Sequence, residues 1–436
     1  MARSSRWRRF FVLGLAAHAA LCWVACGGGE AAAPLGASIG EDAAGSSDTA
    51  TSTLDAQEAA DRAEAQADGD AAHPTFCVRA ADAGPPLPGA TDDACLARLS
   101  VGAKNLRYYR SHSLEVTNAS IKNLVLIQHG DNRNAWDYYD VMAAAALARD
   151  PAHSAVVAPH FQASGSACAS GPDLVAPKDL DYACSDWKQG FLDKSSTIDS
   201  YAALDKLIAT TKLAFPNLMR VTVVGYSAGG QTVQRYAGGN TEHDRTPGIA
   251  TRYVVGSPGS YMYLDGQRVK ADALCTAAST CALDATSFEV PAYAPGCDTT
   301  DSHVATNGGS YHDYKYGLGN RTGYLASVSD VDLVTKYVAR NIVYVLGEGD
   351  SRRIGAVTAT YPSGTPTAYG ALDKDCPAMV QGPLESSFRL QRGLVFHRYV
   401  TRVFGATHRV TVVPACGHDD RCVLTSSEAL TEIFGP

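Results

Sequence analysis

The sequence predicts an α/β fold with a mostly parallel central sheet and helices on both faces of that sheet. From about residue 74 to the C-terminus, short apolar runs rich in Val and Ile alternate with stretches of helical periodicity. The runs are almost continuously hydrophobic, which is typical of strands buried on both faces of a parallel sheet. With 45% hydrophobic residues, the 436-residue chain can bury a sizeable core.

Residues 1–25 have the organisation of an export signal. An apolar run at 10–25, too short for a permanent membrane span, follows four arginines: Arg3, Arg6, Arg8 and Arg9. The run ends in small residues around Cys26, as in a bacterial lipoprotein signal, so we expect Cys26 to be lipidated and to become the mature N-terminus. Trp23 is unusual three residues before such a cysteine, and plain secretion is the alternative. The paired arginines also resemble a twin-arginine signal, which leaves the export route open.

Residues 26–73 are predicted to form a disordered tether, because their Ala, Gly, Ser, Thr, Asp and Glu residues cannot bury enough apolar surface to fold. The whole chain has 37 Lys+Arg and 45 Asp+Glu, a net charge of −8. Ten acids and one arginine at 27–73 give −9, so the acidity lies in the tether. No basic footprint for nucleic acid is present, and the membrane is expected to be contacted only through the lipid.

The cysteines indicate disulfides. Of 12 cysteines, Cys22 and Cys26 belong to the signal, and the other ten are an even number. In an exported protein they favour disulfides over catalytic thiols or zinc. Sequence alone does not fix the connectivity, but we expect these pairs: Cys77 with Cys95, Cys168 with Cys184, Cys275 with Cys281, Cys297 with Cys376, and Cys416 with Cys422.

Residues 74–436 form the predicted folded domain. Its strand-like runs are 106–111, 123–130, 155–161, 220–227, 252–258, 341–350 and 408–418. Its helix-like stretches are 136–149, 199–213, 229–237, 327–340 and 384–404. In such sheets the chemistry gathers at the carboxyl ends of the strands.

One connection is too long for a simple loop. About 80 residues separate Pro258 from Asn341, and they contain three cysteines and a tyrosine-rich segment at 311–325. We interpret residues 262–326 as a disulfide-pinned insertion that forms a lid or pocket wall. The tyrosines in it could line an aromatic pocket, but packing in the core or at the surface is at least as plausible.

Ser227 lies in the stretch VTVVGYSAGGQ at 221–231. A lone GxSxG is a weak signal in a protein with 40 glycines. Here, however, β-branched residues precede the pentapeptide and a stretch able to start a helix follows it, which is the context of a nucleophile elbow. A serine that merely caps a helix is the alternative. We therefore expect Ser227 to be a nucleophile.

A nucleophilic serine needs a base and a group that orients the base, in the chain order Ser, acid, His. Of the histidines after residue 350, only His418 follows a strand directly, in the sequence CGHDDRC. A metal site or a structural histidine are the alternatives there. Asp350 is the favoured acid, because it follows a strand and a glycine lets the chain turn before it. The alternatives are Glu348, Asp373, Asp375 and Glu385.

The oxyanion of an acyl-transfer reaction needs two backbone donors. The amide of Ala228, directly after the nucleophile, is the first expected donor. The second is expected from the loop after the strand at 123–130, at Asp131, with Gly130 allowing close approach. His129 is interpreted as a structural residue that orients this loop.

Together these segments resemble the serine hydrolases of the α/β-hydrolase superfamily over residues 104–425, and in particular a group of exported hydrolases. The matching segments are HGDNRNAWDYY, GYSAGGQTVQRYA, SPGSYMYLD, YVLGEGD and CGHD. Asp131 after the HG pair and the long insertion depart from the pattern. The resemblance implies a triad of Ser227, Asp350 and His418 and acyl-enzyme chemistry without metal or cofactor.

We therefore expect an exported carboxylic-ester hydrolase that acts on a small or polymeric acyl substrate. A peptidase, amidase or acyltransferase with the same triad is an alternative, since the fold hosts many chemistries. A surface lipoprotein that only binds a ligand is another. The sequence gives no indication of oligomeric state.

Overall fold

The computed structural model describes residues 75–80, 93–166, 168, 170–270, 272–273, 275, 277–291, 311–351, 358–360, 366–368, 378, 380–382 and 388–435. The predicted signal at 1–25, the lipidation at Cys26, the tether at 26–73 and the pair Cys297 with Cys376 lie outside these residues.

Eight strands of the described part form one sheet, in the spatial order β1-β2-β4-β3-β5-β6-β9-β12. The pairs β1–β2 and β2–β4 are antiparallel, whereas the five remaining pairs are parallel. The strands are Leu96–Val101 (β1), Lys104–Arg110 (β2), Asn123–Gln128 (β3), Ser154–His160 (β4), Arg220–Tyr226 (β5), Ala250–Gly256 (β6), Asn341–Gly347 (β9) and Arg409–Val413 (β12). The mostly parallel sheet is confirmed.

Each of the seven predicted strands is present, with ends that differ by up to five residues. Strand β1 was missed. It is an edge strand with partly exposed positions, and its sequence LARLSV has no continuous apolar run. Two short antiparallel hairpins lie outside the main sheet: Arg268–Val269 (β7) with Phe288–Glu289 (β8), and Thr358–Thr360 (β10) with Pro366–Ala368 (β11).

The helices of the described part cover both faces of the sheet. Buried residues of Ser200–Ala214 (α2), Ala228–Gly239 (α3), Asp330–Ala339 (α5) and Arg389–Val403 (α6) join the core on one face. Those of Ala135–Arg149 (α1), Asp420–Leu424 (α7) and Ser427–Phe434 (α8) join the core on the other face. A four-residue helix, Thr241–Asp244 (α4), follows α3. No helix in these residues is long and apolar enough to cross a membrane.

Side-chain caps fix several helix starts. The carboxylate of Asp199 accepts from the Ala202 amide at α2, and the hydroxyl of Ser329 accepts from the Asp332 amide at α5. Such caps satisfy amides that have no partner inside the helix.

Described parts of the insertion predicted at 262–326 contact α3 and α6. The Tyr399 hydroxyl of α6 accepts hydrogen bonds from the amides of Leu264 at 3.1 Å and Asp265 at 2.9 Å. Leu325 lies so close to Gly239 of α3 that a side chain at Gly239 would collide with it. The role of the insertion as a lid or pocket wall stays a prediction.

Several described tyrosines of the insertion pack against neighbouring elements. Tyr314 and Tyr316 are buried, and the Tyr314 hydroxyl donates to the Gln189 carbonyl. The Tyr324 hydroxyl donates to Asp205 at 2.6 Å.

Four of the five predicted disulfides lie within the described residues, and all four are present: Cys77–Cys95, Cys168–Cys184, Cys275–Cys281 and Cys416–Cys422. Disulfides of this kind indicate an oxidising compartment.

Candidate active site

Ser227 lies in a sharp turn between β5 and α3. Its backbone has φ 57° and ψ −116°, a conformation that non-glycine residues rarely adopt and that the surrounding structure must hold. The glycines around it are needed for steric reasons. A Cβ at Gly225 would collide with the Gly229 carbonyl, and one at Gly230 would collide with the Gly256 carbonyl. The turn therefore presents the Ser227 hydroxyl at the carboxyl end of the sheet.

His418 follows β12, in the loop closed by Cys416 and Cys422. Its Nε2 lies 3.0 Å from the hydroxyl oxygen of Ser227. The structure thus brings together two residues that are 191 positions apart in the chain. At this distance the imidazole can accept the serine proton.

Asp350 follows β9, and its Oδ2 lies 2.7 Å from Nδ1 of His418. The Asp350 side chain is only 4% exposed. A carboxylate at Nδ1 favours the tautomer with the proton on that nitrogen, which leaves Nε2 free to accept from Ser227. A guanidinium nitrogen of Arg389 is 4.0 Å from the Asp350 carboxylate.

Glu348, the other acid in this turn, does not reach the histidine. Its carboxylate accepts a hydrogen bond from the Ala415 amide at 3.3 Å. Two backbone hydrogen bonds join the same turn to the histidine loop, from the Glu348 amide to the Val413 carbonyl at 2.9 Å and from the Gly349 amide to the Cys416 carbonyl at 2.7 Å. The acid and the histidine are therefore held on one backbone scaffold. Asp373, Asp375 and Glu385 lie outside the described residues.

The two expected oxyanion donors lie on adjacent segments. Ala228 is the first residue of α3, where no preceding helical carbonyl can accept from its amide. A Cβ at Gly229 would collide with the carbonyls of Gln128 and His129, so the start of α3 lies directly against the segment before Asp131.

The Gly130–Asp131 peptide has a fixed direction. The Gly130 carbonyl accepts from His129 Nδ1 at 2.8 Å and from the Arg133 amide at 3.1 Å. Because the two ends of a trans peptide point in opposite directions, these bonds turn the Asp131 amide away from His129. The Asp131 carbonyl is also engaged, by the hydroxyl of Ser170 at 3.3 Å.

His129 has a structural role in this loop. Its Nε2 accepts from the Phe161 amide at 3.1 Å, while Nδ1 donates to the Gly130 carbonyl. Burial lowers the pKa of His129 to about 4, so the imidazole is neutral at pH 7. The buried imidazole orients the Asp131 peptide and is not part of the Ser227, His418 and Asp350 contacts.

Four arginines in the described part of the chain, Arg133, Arg235, Arg389 and Arg392, are all buried. Arg133 pairs with Asp173 at 2.6 Å, and Arg235 donates to the Lys188 carbonyl at 3.2 Å. Arg392 donates to the Gly259 carbonyl, and Arg389 forms an ion pair with Asp350. Their contacts are those of packing residues.

Two neighbours of the site were not singled out from the sequence. Tyr226 stacks on the imidazole of His418, and the ammonium of Lys188 lies 3.4 Å from the Asp131 carboxylate. The position of Tyr226 directly before the nucleophile was an available signal. Lys188 lies in a short 3-10 helix, Asp186–Gln189, far from every motif, so nothing in the sequence pointed to it.

The strand order, with an antiparallel second strand and a sharp strand-to-helix turn at Ser227 after β5, decides the fold. The chain has the α/β-hydrolase fold. In this α/β-hydrolase fold, the candidate acid and histidine follow β9 and β12, in the chain order expected for the superfamily.

Several solved structures are similar to this chain. Poly(aspartic acid) hydrolase-1 from Sphingomonas sp. KT-1 is 16% identical, with a TM-score of 0.49 over 78% of this chain and 97% of its own. LpqC, a poly(3-hydroxybutyrate) depolymerase from Bordetella parapertussis, is 17% identical, with a TM-score of 0.46 over 78% of this chain and 93% of its own. Est1E from Butyrivibrio proteoclasticus is 12% identical, with a TM-score of 0.34 over 78% of this chain and 95% of its own. No protein-family model matches the sequence, and neither does any curated protein.

Proposed function

We propose that the chain is an exported serine hydrolase that cleaves a carboxylic ester through an acyl-enzyme on Ser227. The observation that carries this proposal is the continuous relay from Ser227 through His418 to Asp350, with contacts of 3.0 and 2.7 Å. A hydroxyl, an imidazole and a buried carboxylate in this order are the parts that activate a serine at neutral pH.

In the proposed acylation step, Nε2 of His418 removes the proton of the Ser227 hydroxyl as its oxygen attacks the ester carbonyl. The carbonyl oxygen becomes an oxyanion, and the amides of Ala228 and Asp131 donate to it. The amide end of α3 adds favourable electrostatics for this negative charge. Protonated His418, stabilised by Asp350, then gives its proton to the leaving alcohol, and an acyl-enzyme on Ser227 results.

Deacylation repeats these steps with water. His418 removes a proton from a water molecule that attacks the acyl carbonyl, the same two amides hold the second oxyanion, and His418 returns the proton to Ser227. The acid leaves and the enzyme is regenerated.

The first test is steady-state and burst kinetics with p-nitrophenyl esters and the matching p-nitroanilides. We expect the wild type to turn over the esters with a burst of about one p-nitrophenol per active site when deacylation limits the rate. Ser227→Ala should lose this turnover, while Ser100→Ala, a surface substitution on β1, should keep it. Preference for the anilides would replace the ester proposal with an amidase. Absence of both activities together with ligand binding would favour a binding protein.

We also propose export with a lipid anchor on Cys26, residues 26–73 as the tether and 74–436 as the catalytic domain. The four disulfides support export, because such bonds persist in oxidising compartments. Metabolic labelling with a fatty acid tests the anchor: the wild type and Cys22→Ser should be labelled in the membrane fraction, whereas Cys26→Ser should not. A wild type that is soluble and unlabelled would contradict the lipid anchor and favour secretion without one.

A further inference from the structure

A carboxylate and an ammonium pair beside the candidate oxyanion site. Lys188 Nζ lies 3.4 Å from Asp131 Oδ1. The Lys188 side chain is 10% exposed, whereas the Asp131 side chain is 49% exposed. A buried lysine thus lies against an acid that faces solvent.

The Asp131 carboxylate lies close to its own amide for covalent reasons. Three bonds connect the amide nitrogen to the carboxyl carbon, so the carboxylate is within about 5 Å of that nitrogen in any rotamer. An oxyanion held by the same amide would therefore form near a negative charge. Like charges at this distance repel, and an uncompensated carboxylate would oppose the transition state.

The backbone of Lys188 is held by hydrogen bonds. Its carbonyl accepts from the Tyr201 hydroxyl at 3.0 Å and from Arg235 at 3.2 Å. The ring of the preceding residue, Trp187, lies 4.6 Å from the ring of His129. The lysine backbone is thus tied to the elements that carry the site.

Other charges in this region have partners of their own. The Arg133 guanidinium contacts the Asp131 carbonyl at 3.4 Å, but its ion pair is with Asp173. Asp186, two residues before Lys188, is an exception, since it attracts the Lys188 ammonium electrostatically without a hydrogen bond. In the described part of the chain, Lys188 is the only cation in an ion pair with the Asp131 carboxylate.

We propose that Lys188 neutralises the Asp131 carboxylate so that the Asp131 amide can stabilise the oxyanion. Lys188 is thus a positioning and charge-compensating residue, and it takes no part in proton transfer. This inference rests on the proposed serine hydrolase function.

Charge-removing variants test the inference. Lys188→Met should lower kcat for a p-nitrophenyl ester about 10-fold with little change in KM, because the repulsion acts on the transition state. Asp131→Asn removes the carboxylate and keeps the backbone amide, so it serves as the partner substitution in a double variant. The double variant Lys188→Met/Asp131→Asn should recover kcat to within about threefold of wild type, since no charge then needs compensation.

Two control variants separate charge from fold. Lys188→Arg should keep most of the activity. Lys194→Met, in the same loop region but paired with Asp181 at 3.0 Å, should leave kcat unchanged. Raising the ionic strength should partly restore the Lys188→Met variant, because salt screens the exposed carboxylate.

A double variant as slow as Lys188→Met would overturn the inference, and so would a Lys188→Met variant as fast as wild type. Thermal melts of each variant show whether a loss of rate follows a loss of fold. Fluorophosphonate labelling of the wild type separates this failure from failure of the proposed function. If the wild type is labelled but the double variant does not recover kcat, only the role of Lys188 is contradicted. If the wild type is not labelled, the serine hydrolase function and the role of Lys188 are both contradicted.

Discussion

The ring of Tyr226 stacks on the imidazole of His418, with ring centroids 5.1 Å apart and ring planes inclined by 28°. The Tyr226 hydroxyl lies 3.4 Å from the Gly417 carbonyl and 3.5 Å from His418 Nδ1. The residue directly before the candidate nucleophile therefore supports the face of the candidate base.

Replacing this ring should lower the rate. Tyr226→Leu removes the stacked surface, so we expect kcat to fall by about 10-fold or more because the imidazole loses its fixed orientation. Tyr226→Phe keeps the ring and should retain kcat within about threefold, since the contacts of the hydroxyl with Gly417 and His418 are long. Steady-state kinetics with thermal melts measure this. Equal loss in both variants would show that the hydroxyl, and not the stacking, is what matters.

The choice of acid can be tested directly. Asp350→Asn should lower kcat about 10³- to 10⁴-fold, because an amide at this position favours the wrong histidine tautomer. Glu348→Gln, two residues away in the same turn, should change kcat by less than about threefold. The comparison uses one ester substrate at a fixed pH. The reverse order of effects would make Glu348 the acid.

The disulfide Cys416–Cys422 encloses His418, so its loss should affect the rate. The double variant Cys416→Ala/Cys422→Ala should lower kcat by about 10- to 100-fold, because small displacements of the base are costly. The matched control is Cys77→Ala/Cys95→Ala, which removes a disulfide in a different part of the fold. This control should lose about 3 kcal/mol of stability and keep kcat. Unchanged kcat in the first variant would show that the backbone hydrogen bonds hold the loop alone.

Buried histidines should make the fold sensitive to acid. The His408 imidazole is 5% exposed and lies between the Tyr344 hydroxyl at 3.1 Å and the Tyr337 carbonyl at 3.0 Å. Burial lowers the pKa of His408 to about 4, against about 6.5 in an unfolded chain. Between these values the unfolded state binds more protons, so the free energy of unfolding falls as the pH falls from 6.5 to 4.

His408→Gln should weaken this dependence. Its free energy of unfolding should fall less than that of the wild type between pH 6.5 and 4.5, by on the order of 2 kcal/mol. His153→Gln, which changes an exposed histidine, should keep the wild-type slope. Urea unfolding at several pH values measures both. If the free energy of unfolding depends on pH equally in the wild type and both variants, His408 does not contribute to the acid sensitivity.

The sequence predicted the parallel part of the sheet because its strands are buried on both faces and read as continuous apolar runs. The edge strand β1 was missed for the opposite reason, since Arg98 and other half-exposed residues interrupt its pattern. The C-terminal helix α8 was also missed, although Ser426 caps it and its apolar residues have helical spacing.

Within the candidate site, position at strand ends was enough to nominate Ser227, Asp350 and His418. Choosing Asp350 over Glu348 depended on the turn itself, in which the Asp350 amide donates to the Gly347 carbonyl at 3.1 Å. The Lys188 contact could not be predicted. It joins the loop at Asp131 to a short 3-10 helix 57 residues further on, and no local pattern encodes a long-range ion pair.

The central claim is that Ser227 is the nucleophile. The most direct measurement is labelling of the full-length protein with a fluorophosphonate, followed by mass spectrometry of the proteolytic peptides. We predict a single adduct on Ser227, lost in Ser227→Ala and much slowed in a His418→Ala variant. Labelling of another residue, equal labelling of wild type and Ser227→Ala, or no labelling of a folded wild type would contradict the account.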